Sequence, residues 1–326
     1  MKPALRFLLS LLLTAALLAL LLAWSDTHPM DIARAIWRMD PVLYGAALAT
    51  QLCIYPLRAA RFRCLLAGQG ETSPGLLPLV PVTMAHNLFA YLLPAKVGEA
   101  SLVLYLKSGF GIDNARGMAV LLLARLLDLA CVALFLCAAC LALPAVGPMP
   151  EKLRTLGWIL VPVCAALLVG LWMGPQLAHA ALALARPILG RMGALGQKLL
   201  AFGERTEVAL AEVSEGRLHR GLAWSLPIWL CVFLFYALLA RGLGIGELGA
   251  GQLVFGAGLA ILFGLLPLST FAGFGSQDAG WVLGFVAVGV ERGLAVETGL
   301  LSHLIYAGHI AVLGWLGHVW ARRLAR

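Results

Sequence analysis

The stretch LFAYLLPAKVGE, residues 88–99, decides the fold. It lies in the middle of an apolar run (residues 76–106) and places Pro94, Lys96, Gly98 and Glu99 inside a segment otherwise apolar enough to cross a bilayer. A charged side chain at the bilayer centre costs about 2.5–3.5 kcal/mol, and irregular backbone facing lipid leaves its polar groups unsatisfied. The break must therefore sit in protein or in a wet cavity, as the tip of a broken helical hairpin over residues 76–107. A second stretch repeats the pattern. LFGLLP (residues 262–267), followed by STFAGFGSQD (269–278), interrupts the apolar run 252–290 and defines a second broken hairpin there. The first copy supplies Pro94, Gly98 and Glu99; the second supplies Pro267, Gly273, Gly275 and Asp278.

Composition sets these hairpins in a membrane. Of 326 residues, 61% are hydrophobic and 12% charged, whereas soluble domains carry roughly 25% charged residues. A water-soluble globular enzyme is excluded, because there are too few polar side chains to cover a surface. Further apolar segments cover residues 7–23, 41–57, 117–143, 157–174, 221–240 and 298–321. The first resembles a signal peptide, but its apolar core is long and lacks a small-x-small cleavage site, so it reads as a spanning helix. The fold class expected is all-α: a polytopic membrane protein with about six spanning helices and two re-entrant hairpins. Residues 1–326 form a single integral membrane domain.

The net charge of +8 is topological. No basic run is interleaved with exposed aromatics, so nucleic acid is not an expected partner. If the first hairpin opens from the cytoplasm and the second from the outside, the basic residues fall on one side. These are Lys2 and Arg6, then Arg58, Arg61 and Arg63, then Lys107 and Arg116, the connector 175–220, and Arg322, Arg323 and Arg326. Both termini are then cytoplasmic, in the cell inner membrane. The two hairpins enter from opposite sides as an inverted repeat, a pattern that points to a transporter's central site. Within the connector, Leu195, Leu199, Phe202, Thr206, Ala209 and Val213 share one face of an amphipathic helix over residues 195–216.

Ionisable residues inside the membrane are the candidate site. Arg125 and Asp128 stand at i, i+3 and can pair. Either the pair is structural, or Arg125 faces the hairpin cavity and binds an anion while Asp128 orients it. Lys96 and Glu99 follow the first break, and Asp278 holds the corresponding position in the second. Lys96 and Arg125 beside broken helix ends suit a phosphate. Glu99 and Asp278 suit a cationic headgroup or a proton. Asn87 caps freed backbone or bridges helices, and Gln51, Tyr55 and Arg58 form a polar face leading into the basic cluster of Arg58, Arg61 and Arg63. Metal chemistry is not expected. The seven cysteines lie in or beside apolar stretches as packing residues, and the CxxC of Cys137 and Cys140 has no second ligand pair. Ser302, Tyr306 and His309 share a face of the last span with His303 offset, without the spacing of a zinc motif. No cofactor loop, GxSxG or DxD pair is present, so no catalytic residue is assigned.

Four motifs in order resemble a known family. RAARFRCLL (58–66), Asn87 with LLPAKVGE (92–99), ARLLD (124–128) and AGFGSQD (272–278) are similar to the lysylphosphatidylglycerol synthase transmembrane, or flippase-like, family. The likeness covers roughly residues 5–320. It implies translocation of a phospholipid or polyprenyl-linked lipid between leaflets, with the hairpins lining the path. It gives weight to Arg58, Arg61, Lys96, Gly98, Glu99, Arg125, Asp128, Gly273, Gly275 and Asp278. Lys96 stands where the family usually has Arg, Gln277 where a basic residue is common, and Asp278 where Glu is usual. The aminoacyl-transfer domain that follows this region in full-length synthases is absent, so synthesis of the lysyl lipid is not expected. Two rivals remain: an intramembrane enzyme using Glu99 and Asp278, and a non-transporting membrane partner of a lipid-modifying enzyme or glycosyltransferase, docking through 195–216.

Overall fold

The computed structural model describes residues 3–25, 29–67, 74–143, 148–246, 248–265 and 271–324. All regular elements among them are helical: α1 (Pro3–Ser25), α2 (Pro29–Arg38), α3 (Pro41–Leu66), α4 (Leu76–Leu92), α5 (Ala100–Phe110), α6 (Asn114–Leu141), α7 (Pro148–Trp172), α8 (Gly174–Leu189), α9 (Gly193–Ser214), α10 (Leu218–Gly242), α11 (Ala250–Leu265), α12 (Ser276–Ala287) and α13 (Arg292–Leu324). Short 3-10 segments cover Pro94–Glu99, Gly190–Met192 and Phe271–Gly273. Four described stretches, Asn114–Leu141, Glu151–Trp172, Leu218–Gly242 and Arg292–Leu324, are long and apolar enough to cross a membrane. α3 has the length but carries three arginines in its last third, of which Arg58 and Arg61 find partners inside the bundle while Arg63 is exposed at its end. Its start is fixed by Asp40, which accepts from the backbone N–H groups of Val42 (2.8 Å) and Leu43 (3.0 Å) ahead of the N1 proline, Pro41.

α4 and α5 fold back on one another through the 3-10 turn at Pro94–Glu99. Gly98 is what lets them do so, since a Cβ there would lie 1.8 Å from the carbonyl oxygen of Phe89. The starts and ends of this hairpin meet at one end of the bundle, where Pro78 and Val82 lie beside Ser108, Phe110 and the last turn of α13. Arg116, at the start of α6, donates to the Leu66 carbonyl at the same end (2.9 Å), and Arg63 of α3 lines a groove there with Arg217 and Arg220. α11 and α12 form the second hairpin and open at the opposite end, where Gln252 donates to the Val288 carbonyl (3.2 Å). Their backbones touch: a Cβ at Gly284 would lie 2.7 Å from the Gly256 oxygen. Small residues allow this approach where lipid provides no hydrophobic drive between helices.

Each hairpin nucleates an apolar cluster. Phe62, Leu65, Leu79, Leu102, Leu106, Leu123 and Leu127 pack around the first. Trp229, Phe235, Tyr236, Leu239, Trp281 and Phe285 pack around the second. Helices α3 and α6 contribute to both, and their polar residues fall between, at Gln51–Arg61 and Arg125–Asp128. That layer, near the middle of the bundle, holds the ionisable groups.

The connector 175–220 is built mainly of two helices, and α9 is the one expected over 195–216. α8 and α9 pack together, and α9 docks on α6 through Thr206, Ala209, Leu210 and Val213, which are buried. Leu195 and Leu199, expected on the same face, are exposed at 59% and 43%. The first half of α9 packs on α8, with Gly203 against Leu182, so only its second half meets the bundle.

Candidate functional site

Asp128 stands at the centre of α6, 3% exposed. Its Oδ1 accepts from Arg61 Nη1 (2.6 Å) and Trp229 Nε1 (3.0 Å), and its Oδ2 from Arg125 Nη1 (2.8 Å). Arg61, 1% exposed, donates also to Ser225 Oγ (3.0 Å). Three helices, α3, α6 and α10, are thus tied through one carboxylate. Arg125 turns its other edge to Glu99, with Nε at 2.9 Å and Nη2 at 2.6 Å from Oε2. The i, i+3 pair of α6 therefore exists, but Arg125 is held by two carboxylates rather than standing free.

His86 completes the cluster. Its Nε2 lies 3.1 Å from Arg125 Nη2 and its Nδ1 3.0 Å from Ser101 Oγ. A guanidinium can only donate, so Nε2 accepts, Nδ1 carries the proton and the ring is neutral. Its 3.5 Å approach to Glu99 is then not an ion pair. Among the described residues three guanidiniums, Arg58, Arg61 and Arg125, stand against two carboxylates, Glu99 and Asp128. The excess charge resides at Arg58, whose partner among the described residues is the neutral Asn87, at 3.0 Å from Nη1 to Oδ1.

Arg58 and Asn87 line a cavity of about 170 Å³ between the two hairpins, with Glu99, Arg125, Asp128, Tyr91, Tyr236, Gln277 and Tyr306. Its volume fits a phosphate-sized group and leaves no room for acyl chains. Two buried polar atoms in its wall have no hydrogen-bond partner among the described residues, Tyr91 Oη and Gln51 Oε1. Gln51 Nε2 donates to Tyr55 Oη (3.3 Å), and Gln277 Nε2 to Tyr236 Oη (3.1 Å). The side chains of Lys96 and Pro94, and all of Pro267, lie outside the described residues.

Asp278 does not face this cavity. It lies in the second break, 1% exposed, where its Oδ2 accepts from the Gly275 N–H (2.7 Å) and its Oδ1 meets His303 Nδ1 (2.7 Å). Ala272, Gly273 and Gly275 all have positive φ (50°, 77° and 83°), which makes this break a left-handed turn that glycine tolerates and alanine resists. His86, Ser225, Trp229 and His303 were not among the sequence candidates. The histidines carried a signal, being titratable residues in apolar helices; Ser225 and Trp229 are ordinary in composition and become polar anchors only through packing. Among the described residues no group of three His, Cys, Asp or Glu side chains gathers as a metal site would require.

Residues 7–314 match the model of the family described as the lysylphosphatidylglycerol synthase TM region. No curated protein and no solved structure matches the chain.

Proposed function

Because the chain belongs to the lysylphosphatidylglycerol synthase TM-region family, a family of membrane proteins related to lipid metabolism, we propose that it moves a lipid with an anionic phosphate headgroup between leaflets. The lipid is a phospholipid or a polyprenyl-linked phosphate. The observation that carries this reading is the central cavity, which lies between two hairpins that open at opposite ends and holds one guanidinium, Arg58, with no carboxylate partner among the described residues. A fixed cation out of bulk water attracts a phosphate strongly, and a guanidinium presents a fork that matches its oxygens. Arg125 shapes the wall while Glu99 and Asp128 hold it. Acyl chains stay in lipid as the headgroup passes.

In this reading the hairpins are re-entrant and form an inverted repeat, and the protein transports without catalysing a covalent step. The end of the bundle that gathers Arg63, Arg116, Arg217, Arg220 and Arg322 faces the cytoplasm of an inner membrane, as the positive-inside rule requires. The test is leaflet exchange in proteoliposomes, using headgroup-labelled phospholipids and polyprenyl phosphates. Wild type should accelerate exchange of a phosphate lipid, and Arg58→Ala should abolish it while the protein stays folded. Absence of exchange for every lipid, beside a working control flippase, would overturn the reading.

The exposed apolar residues of α8 and α9, among them Leu177, Leu184, Ile188 and Leu195, favour a second reading, a membrane partner for a lipid-modifying enzyme. Deleting α8 and α9 would then abolish partner binding while substitutions at Arg58 would leave it intact.

A further inference from the structure

His303 and Asp278 bond to each other and to the backbone of the second break at Ala272 and Gly275, and the geometry counts their protons. His303 Nε2 lies 3.1 Å from the carbonyl oxygen of Ala272, and Nδ1 lies 2.7 Å from Asp278 Oδ1. A carbonyl only accepts, so Nε2 carries a hydrogen. The 2.7 Å contact at Nδ1 needs a second one, on the ring or on the carboxyl, since two lone pairs would repel there. The pair therefore holds one shared proton and is neutral overall. Both side chains are 1% exposed, and without that proton two lone pairs would face each other across the 2.7 Å contact.

The surroundings isolate the pair. Phe274 stacks on His303 at 3.9 Å with ring planes 5° apart, and Tyr91 of α4 meets its edge at 6.0 Å. Among the described residues the titratable groups facing the pair are tyrosines, Tyr91 of α4 and Tyr236 of α10, with Tyr306 of α13 packed against both. α1 presents Leu17 against Gly275. No second carboxylate or cation bonds to it among the described residues. The same tyrosines, with Gln277 beside Asp278, form the wall of the central cavity.

What the pair grips is the strained backbone. His303 holds the carbonyl of Ala272, the one described residue other than glycine with positive φ, and Asp278 holds the amide of Gly275. Conformations of this kind persist only where their surroundings over-determine them.

We propose that Asp278 and His303 are a proton-binding latch on the second hairpin. With its shared proton the pair keeps the break closed. When the proton passes to water in the opened cavity, the Nδ1–Oδ1 contact is lost and the break is released. Opening and proton loss promote one another, as linkage requires. Only the last consequence, one proton exchanged per lipid transfer, rests on the translocation reading.

The test begins with the full chain in lipid nanodiscs, using 15N-histidine spectra with His303 assigned by H303Q, and infrared detection of a protonated carboxyl that D278N removes. Imidazolium shifts at His303 near neutral pH, or the carboxyl band, support the latch. A neutral ring beside an ionised carboxylate overturns it, whatever transport shows. Leaflet exchange is then followed against pH. The open fraction should rise about tenfold per pH unit for one linked proton, and H303Q should flatten the profile. Proton signatures without any lipid exchange would keep the latch and overturn the translocation reading. Exchange independent of pH in wild type would overturn the coupling and keep translocation.

Discussion

Replacing Asp128 by leucine tests whether the tie between α3, α6 and α10 is structural. The change strands Arg61, 1% exposed, with Ser225 Oγ as its remaining side-chain hydrogen-bond partner among the described residues. Removing one member of a buried ion pair costs about 3–5 kcal/mol, because the other is left charged and unpaired. Asp128→Leu belongs near the top of that range, since Trp229 Nε1 loses its acceptor too. Arg61→Met belongs near the bottom, because Asp128 keeps Arg125 and Trp229. The double variant removes both charges, so its cost should fall short of the two singles together by about 1–3 kcal/mol, the coupling expected of direct partners. Reversible unfolding in mixed detergent micelles, followed by tryptophan fluorescence, measures all three. Single variants that cost under about 1 kcal/mol, or a double equal to the two together, would refute the reasoning.

Glu99→Gln should cost much less, at most about 1 kcal/mol by the same unfolding measurement, because the Arg125 side chain is 36% exposed to the cavity and water screens the pair. Arg58→Lys keeps the charge but loses the fork, so it should retain part of the leaflet exchange that Arg58→Ala abolishes; equal activity of Lys and Arg would show that charge alone suffices. Gly284→Ala puts a Cβ 2.7 Å from the Gly256 oxygen, and should destabilise the second hairpin by about 1–3 kcal/mol, read as a lowered Tm; an unchanged Tm would mean the helices are not in contact there. Glu291 caps α13 by accepting from the N–H groups of Gly293 (3.0 Å) and Leu294 (3.1 Å), which hold its carboxyl below the usual carboxylate range. The cap is therefore fully present above that range and lost as pH falls through the lowered value. Hydrogen exchange at those two amides should accelerate on acidification relative to Glu291→Gln, and parallel profiles in the two proteins would refute it.

Much of this molecule was legible in its sequence because membranes constrain the chain locally. Apolar runs near spanning length identify helices without any knowledge of what they touch. Pro94 and Gly98, and later Gly273 and Gly275, mark breaks because backbone geometry is a property of the residue itself. The i, i+3 spacing of Arg125 and Asp128 placed them on one face for the same reason.

Charge balance was not legible, because it depends on which helices become neighbours. Only packing brings Arg61 of α3 to Asp128, turns Arg125 toward Glu99, and leaves Arg58 beside a neutral asparagine. Nor could spacing show that His303, offset from the polar face of its own helix, meets Asp278 across 25 residues. Sequence alone determined the long apolar helices, the interruptions at residues 94–98 and 273–275 and the spacing of Arg125 and Asp128, since those follow from local propensity and the cost of polar groups in lipid; α2, α8 and the places of His86 and His303 it did not. The tertiary structure decided which charges cancel and which remains, because Coulomb energy depends on distances that chain order does not contain.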